Sequence, residues 1–222
     1  VASRAVEANS GVVDKYIGDA VMALWGAPGD DEQQAFNACR AALEIVRAVT
    51  DSGVVDDRGE PLGIRIGISS GLAVVGNIGS PRRLNYTAIG DTVNLASRLE
   101  GVNKLFKTDI LISESTKAMI GDAFATREIG EIAVFGRTGG VRIFELLDGP
   151  SGSGKASWVT LYEEALEAYR GRRFGAALER LTQVLGERPS DAAARWLQAE
   201  CTRLAASPPD ETWDGVITLG TK

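Results

Sequence analysis

Residues 11–28, GVVDKYIGDAVMALWGAP, hold two short apolar runs, VV and AVMALW, joined by a charged turn with Lys15, Gly18 and Asp19. Strand-like runs that meet at a Gly-Asp pair predict a β-hairpin. One cation and one carboxylate near its tip are either solubilising decoration or the edge of a metal and nucleotide site. Gly-Asp turns are common, so the hairpin alone leaves both readings open.

Composition narrows the chemistry available. A chain of 222 residues can bury a real core, as one domain with an appendage or as two small domains. Its 44% hydrophobic and 24% charged residues are ordinary for a soluble globular protein. A net charge of -6 argues against a general nucleic-acid surface, although cations clustered at one site could still bind a polyanion. Two cysteines, Cys39 and Cys201, suggest neither a disulfide framework nor a Cys-rich metal site and favour a reducing compartment. No apolar run approaches the ~20 residues needed to span a bilayer, and no signal-peptide pattern opens the chain. There is no histidine. Any chemistry must therefore rest on carboxylates, cations or a bound metal.

Outward from the hairpin, Val1, Ala2, Ala5 and Val6 fall at helical spacing, as in the last turns of a helix entered midway. This start, without methionine, reads as a piece of a longer protein. Ala35, Ala38, Cys39, Ala42, Leu43, Val46 and Val49 predict an amphipathic helix within residues 30–52, with Asp30 and Asp31 at its N-terminus. In LGIRIGISSGLAVVGNIG (62–79), alternating Ile64, Ile66 and Ile68 turn at Ser69-Ser70-Gly71 into a second expected hairpin. LNYTAI (84–89) reads as a strand, and a helix follows from near Asp91, the expected cap, with Val93, Ala96, Leu99 and Val102 on its buried side. DILIS is a strand, KAMIG a short helix, and FATREIGEIAV and VRIFELL are closing strands. That order predicts an α+β, ferredoxin-like sandwich, an antiparallel-rich sheet with helices on one face. Residues 1–148 form this unit, 149–157 a Gly/Ser linker, and 158–222 a helical extension and tail. Its small residues, with Tyr169, Phe174 and Pro189, resemble a tetratricopeptide-type helix pair. One and a half repeats cannot bury their own faces, so the extension must pack on the main unit or on a partner.

Asn94 and Arg98 stand four residues apart, on one helical face, just after Tyr86-Thr87. Seen alone they suit a solvated face. Together, GVVDKYIGDAVMALWG, GIRIGISSGLAVVGNIGS and NYTAIGDTVNLASRLE closely resemble, in order and spacing, the core of the class III adenylate and guanylate cyclases, over about residues 1–147. The resemblance implies attack of a ribose 3′-hydroxyl on its own α-phosphorus, a phosphoryl transfer that needs positioning and charge neutralisation more than covalent side-chain chemistry. It implies two Mg²⁺ or Mn²⁺ ions held by two aspartates, of which Asp19 matches the second. Lys15 matches the purine-reading lysine and Thr87 its partner. Lys15 can donate to adenine N1 and Thr87 can accept from N6, whereas guanine reverses that pattern. The pair therefore points to ATP. Asn94 matches the residue that orients the ribose, and Arg98 the one that steadies the pentavalent phosphorus. The resemblance further implies a head-to-tail homodimer with two equivalent sites. The metal aspartates come from one subunit, and the purine, ribose and phosphate residues from the other. No nucleic acid is expected as partner. The expected setting is cytoplasmic, below an N-terminal sensor that is often membrane-anchored in similar cyclases.

Two departures stand out. The first metal aspartate of the family lies well upstream of Asp19, and these 222 residues do not include its strand. In AVFGRTGG, Phe135 stands where relatives often carry the first phosphate-binding lysine, and Arg137 keeps the second cation, to hold triphosphate or as a plain surface residue. Two competing readings remain. GPSGSGKA (149–156) nearly spells a phosphate-binding P-loop, but Ala156 replaces its metal-binding hydroxyl and the composition is that of a linker. A catalytically incomplete cyclase-like domain, dimerising or binding nucleotide to regulate a partner, would have no evident use for Lys15, Asp19, Thr87, Asn94 and Arg98 together. Residues 1–222 alone, carrying one of the two metal aspartates, should form little or no cyclic AMP from Mn²⁺-ATP. A robust rate in that assay would contradict the expected inactivity of these residues alone.

Overall fold

A computed structural model of the chain describes residues 1–80, 83–133, 139–147 and 156–218. Phe135, Arg137 and residues 149–155 of the Gly/Ser segment, all of its P-loop-like run except Ala156, lie outside the described residues. The elements in chain order are α1 (Ala2–Ala8), β1 (Val12–Ile17), β2 (Ala20–Leu24), α2 (Gln34–Asp51), β3 (Ile66–Ile68), β4 (Val74–Ser80), β5 (Arg83–Ile89) and α3 (Asp91–Phe106). There follow β6 (Ile110–Ser113), α4 (Glu114–Ile120), β7 (Thr126–Ala133), β8 (Gly140–Leu146), α5 (Ser157–Arg170), α6 (Phe174–Glu187) and α7 (Ala192–Ala206). This is the expected α+β, antiparallel-rich class.

The central sheet has the order β3-β6-β8-β7, with β3 and β6 parallel and the other pairs antiparallel. Successive side chains on a strand point to opposite faces, and here each face has its own apolar cluster. Ile110, Ile112, Phe144 and Leu146 pack with Cys39 and Leu43 of α2 and Ile120 of α4. Leu111, Ile143 and Ile129 pack with Leu99 and Phe106 of α3 and with the C-terminal helices. Helices therefore cover both faces rather than the single face expected, because the alternating isoleucines and leucines leave neither side polar. Burial pushes the thiols of Cys39 and Cys201 up to about 12, so neither is a thiolate at neutral pH.

The second hairpin differs from the expectation. β3 turns away at Gly71 and joins β6, while β4 pairs with β5 in register Gly76↔Thr87. The alternation in Ile64–Ile68 marks a strand but carries no information about its partner. Nor is Asp91 the cap of α3. Gly90 takes that place, with φ 146, and Asp91 sits in the first turn, where a carboxylate favours the helix dipole.

Gly67 sets the distance between β3 and α3. A Cβ there would lie 2.1 Å from the Ala96 carbonyl oxygen and 2.5 Å from the Glu100 amide nitrogen. Only glycine lets the strand come so close to the helix backbone. The buried side chain of Asn103 locks the same contact, its Nδ2 donating to the Ile66 oxygen at 2.9 Å. The helix that carries Asn94 and Arg98 is thus fixed on the sheet by backbone contact.

The C-terminal helices pack on the main unit. Tyr162 of α5 is fully buried and donates to the Ile129 oxygen at 3.0 Å. Beside it, Arg127 on β7 pairs with Glu145 and with Asp191, each at 2.6 Å, and lies over the rings of Tyr162 and Trp158. Asp191 also caps α7, accepting from the Ala194 amide at 2.9 Å. One buried cation therefore ties the sheet to two of the appended helices. Burial raises the Glu145 carboxyl, and Arg127 opposes that shift.

Two substitutions test these joints. Gly67→Ala should cost about 1–3 kcal/mol of unfolding free energy through overpacking, read as a lowered denaturant midpoint. No change would show that α3 stands off β3. Arg127→Ala leaves Glu145 without its ion-pair partner and the buried Asp191 with only the longer 3.6 Å pair to Arg188, and should cost about 3–5 kcal/mol. A loss below about 1 kcal/mol, the size of a solvated surface pair, would contradict the burial described.

Candidate active site

The hairpin β1–β2 turns through Gly18, whose φ of 64 suits the tight tip. At its base, the Trp25 Nε1 donates to the Asn9 oxygen at 2.8 Å, and Gly11 lies flat under the indole, where a Cβ would be 2.5 Å from the ring. This seats the hairpin on α1. Asn9 in turn donates to Glu44 of α2 at 2.8 Å.

Midway along β1 the hairpin meets β5. The Lys15 Nζ donates to the Thr87 Oγ1 at 2.9 Å, across a sequence separation of 72 residues. The Thr87 hydroxyl donates in turn to the Asp14 Oδ2 at 2.5 Å, and Lys15 lies 3.6 Å from that same oxygen. The Asp14 side chain is 1% exposed and that of Lys15 is 38% exposed. The three groups form one cluster, closed beneath and open at the ammonium.

Neighbouring residues on a regular strand point to opposite faces, so Asp14 and Lys15 should not share a partner. The register explains why they do. Val13 faces Ala23 and Lys15 faces Met22, which leaves Asp14 as the extra residue of a β-bulge. The bulge turns both side chains toward Thr87.

Of the other expected site residues, Asp19 lies on the hairpin turn and Asn94 and Arg98 on α3. Asp19 is exposed on the turn after β1. Asn94 is exposed and Arg98 half-buried, one turn apart on α3, the helix that follows directly from the strand bearing Thr87. No hydrogen bond among the described residues links the cluster to Asp19 or Asn94. Arg137 lies outside the described residues. The spacing of the motif did not reveal Asp14, Gly67 or Asn103. For Gly67 the available signal was a glycine set between two isoleucines of a strand.

Among the described residues, no group of three or more His, Cys, Asp or Glu side chains could hold a metal ion. Mg²⁺ commonly keeps several waters and is held by one or two carboxylates plus substrate phosphates. A single exposed carboxylate at Asp19 fits a cation that arrives with a triphosphate. It does not make a closed metal cage. What the arrangement can do is read a planar polar edge with a cation and a hydroxyl, beside a helix carrying an amide and a guanidinium.

Comparison with known proteins agrees with this geometry. Residues 7–148 match the adenylate and guanylate cyclase catalytic domain. Adenylate cyclase 1 of Rhizobium meliloti is 40% identical over 152 residues, 65% of this chain and 22% of that protein. The adenylate cyclase of Anabaena cylindrica is 34% identical over 154 residues, 64% of this chain and 29% of that protein. The chain thus spans less than a third of the length of these curated relatives. The crystal structure of the adenylyl cyclase CyaB from P. aeruginosa aligns with a TM-score of 0.59 and 32% identity, covering 69% of this chain and 80% of that one. The guanylate cyclase domain of RhGC from Catenaria anguillulae, in complex with GTP, aligns with a TM-score of 0.56 and 29% identity, covering 67% and 78%. On a match that takes in the whole Lys15–Thr87 cluster and α3, the chain belongs to the family of adenylate and guanylate cyclase catalytic domains.

Proposed function

We propose that residues 1–148 are the catalytic unit of an adenylate cyclase, which converts ATP to 3′,5′-cyclic AMP and pyrophosphate. The observation that carries this reading is the direct contact of Lys15 with Thr87. The Lys15 ammonium has three N–H donors, so it can face Thr87 and Asp14 and still donate to adenine N1. Thr87 can accept from N6. A guanine edge, with a donor at N1 and an acceptor at O6, would meet groups of the wrong sense.

In the reaction, the bond from O3′ to the α-phosphorus forms, the bond from that phosphorus to the β-phosphate oxygen breaks, and the 3′-hydroxyl proton leaves to water. Asn94 holds the ribose so that O3′ faces the phosphorus. Arg98 carries the charge that develops on the phosphoryl oxygens, and its planar guanidinium suits that geometry. Arg137 is assigned to the terminal phosphates. Asp19 would supply one ligand to a pair of divalent cations, Mg²⁺ or Mn²⁺, whose charge would neutralise the phosphates. No histidine is required, and none is present.

The proposed assembly is a head-to-tail homodimer in which Asp19 of one subunit serves the nucleotide held by Lys15, Thr87, Asn94 and Arg98 of the other. The hairpins support an interface. Tyr16 and Ile17 near the β1 end are 64% and 59% exposed, and Leu72, Val74, Leu84 and Ile89 in and before β4–β5 are at least half exposed. Apolar side chains gathered on two hairpins are what a partner surface would cover. Among the described residues no helix is long and apolar enough to cross a membrane. A cytoplasmic setting and an N-terminal sensor complete the proposal.

Complementation in the full-length protein tests it. Asp19→Ala and Arg98→Ala should each lower cyclic AMP formation by about 10²–10³-fold. Mixing the two variants should restore about a quarter of wild-type activity, since half of the dimers would be mixed and each would hold one intact site. Mixing without recovery contradicts the shared site, and a full-length protein that makes no cyclic AMP contradicts the activity.

A further inference from the structure

We infer that Asp14 is a positioning residue that sets which purine the site accepts, by fixing the sense of the Thr87 hydroxyl. The inference rests on the adenine reading above and adds a residue to it. A hydroxyl is ambiguous: it has one donor hydrogen and two acceptor lone pairs, and rotates to suit its partner. An unconstrained Thr87 could accept from adenine N6 or donate to guanine O6 with equal ease. By itself it would discriminate poorly.

The cluster removes that ambiguity. An ionised carboxylate only accepts hydrogen bonds, so at 2.5 Å from the Asp14 Oδ2 the Thr87 oxygen must be the donor. Its hydrogen is committed there. Lys15, which has only donors, takes one of the two Thr87 lone pairs at 2.9 Å. One lone pair remains, and it can only accept. The group offered to the ligand is therefore complementary to an amino group and not to a carbonyl. Lys15 likewise only donates, so both reading groups are fixed in the sense that suits adenine.

Two structural features keep Asp14 in this role. Its side chain is 1% exposed, so water does not compete for the Thr87 hydrogen. The β-bulge between Val13 and Lys15 turns it to the same side as Lys15, against the strand's alternation. Thr87 itself is buried, 7% exposed, in the centre of β5. Its hydroxyl has no other partner among the described residues.

The test is competition of ATP and of GTP for a fluorescent ATP analogue bound to the full-length protein, read as the ratio of the two affinities. In Asp14→Ala the Thr87 hydrogen is released, and the ratio should fall by about tenfold or more, with GTP binding improved relative to ATP. Asp14→Asn keeps the shape and removes the charge, and should lower the ratio by less. In a Thr87→Val background, Asp14→Ala should leave the ratio where Thr87→Val puts it. An unchanged ratio in both Asp14 variants, with ATP and GTP weakened alike, overturns the inference and leaves the adenine reading standing. So does an equal fall of the ratio with and without Thr87. A wild-type protein that binds the two nucleotides equally removes the adenine reading itself, and this inference with it.

Discussion

The meeting of Lys15, Thr87 and Asp14 joins two hairpins that no sheet hydrogen bond among the described residues connects. β1–β2 and β4–β5 are separate two-stranded ribbons, distinct from the four-stranded sheet. A two-stranded ribbon is marginal in water by itself, so each must be held by side chains. Trp25 and Gly11 seat the first on α1. The second continues through Gly90 into α3, and Thr92 of that helix donates to the Leu72 oxygen at 3.0 Å. Between them stands one carboxylate with a cation and a hydroxyl. The same contact that orders the two ribbons shapes the edge that would read a base.

The site is also fixed from below. α3 lies against β3 at a distance only Gly67 permits, and Asn103 bonds across the seam. The far end of α3 meets the C-terminal helices through Phe106 and Trp196, whose rings pack edge-on at 5.5 Å. Those helices share one apolar cluster with the sheet, and Arg127 binds them to β7 from inside. The helix bearing Asn94 and Arg98 is therefore held between the sheet and the appended helices. Catalysis by charge and position requires such rigidity, because a displacement of about 1 Å can cost 10²-fold in rate.

Much of this was legible in the sequence. Helical spacing located α2 and α3, and the Gly18-Asp19 turn located the first hairpin. The spacing of Lys15 with Asp19 corresponds to a hairpin turn, and that of Asn94 with Arg98 to one turn of α3. The misreadings have physical causes. Alternation shows that Ile66–Ile68 is a strand, but pairing with β6 instead of β4 depends on long-range packing. Apolar residues on both parities of β6 and β8 implied two covered faces, a signal visible in ILIS and RIFEL but not used. Asp14 was missed because regular alternation points it away from Lys15, and a bulge leaves no mark in composition. The closing strand FATREIGEIAV gave no sign that Arg127 is buried. Its burial depends on Asp191 and Glu145, which lie far from it in sequence.

Everything proposed for the site turns on Lys15 and Thr87 acting as an adenine-reading edge. A crystal structure of the full-length protein with 3′-deoxy-ATP, which lacks the attacking hydroxyl, tests it most directly. Adenine N1 is expected within hydrogen-bond distance of the Lys15 Nζ, N6 within the same distance of the Thr87 Oγ1, and the Thr87 bond to Asp14 kept. A nucleotide bound with its base away from Lys15 and Thr87 would contradict it.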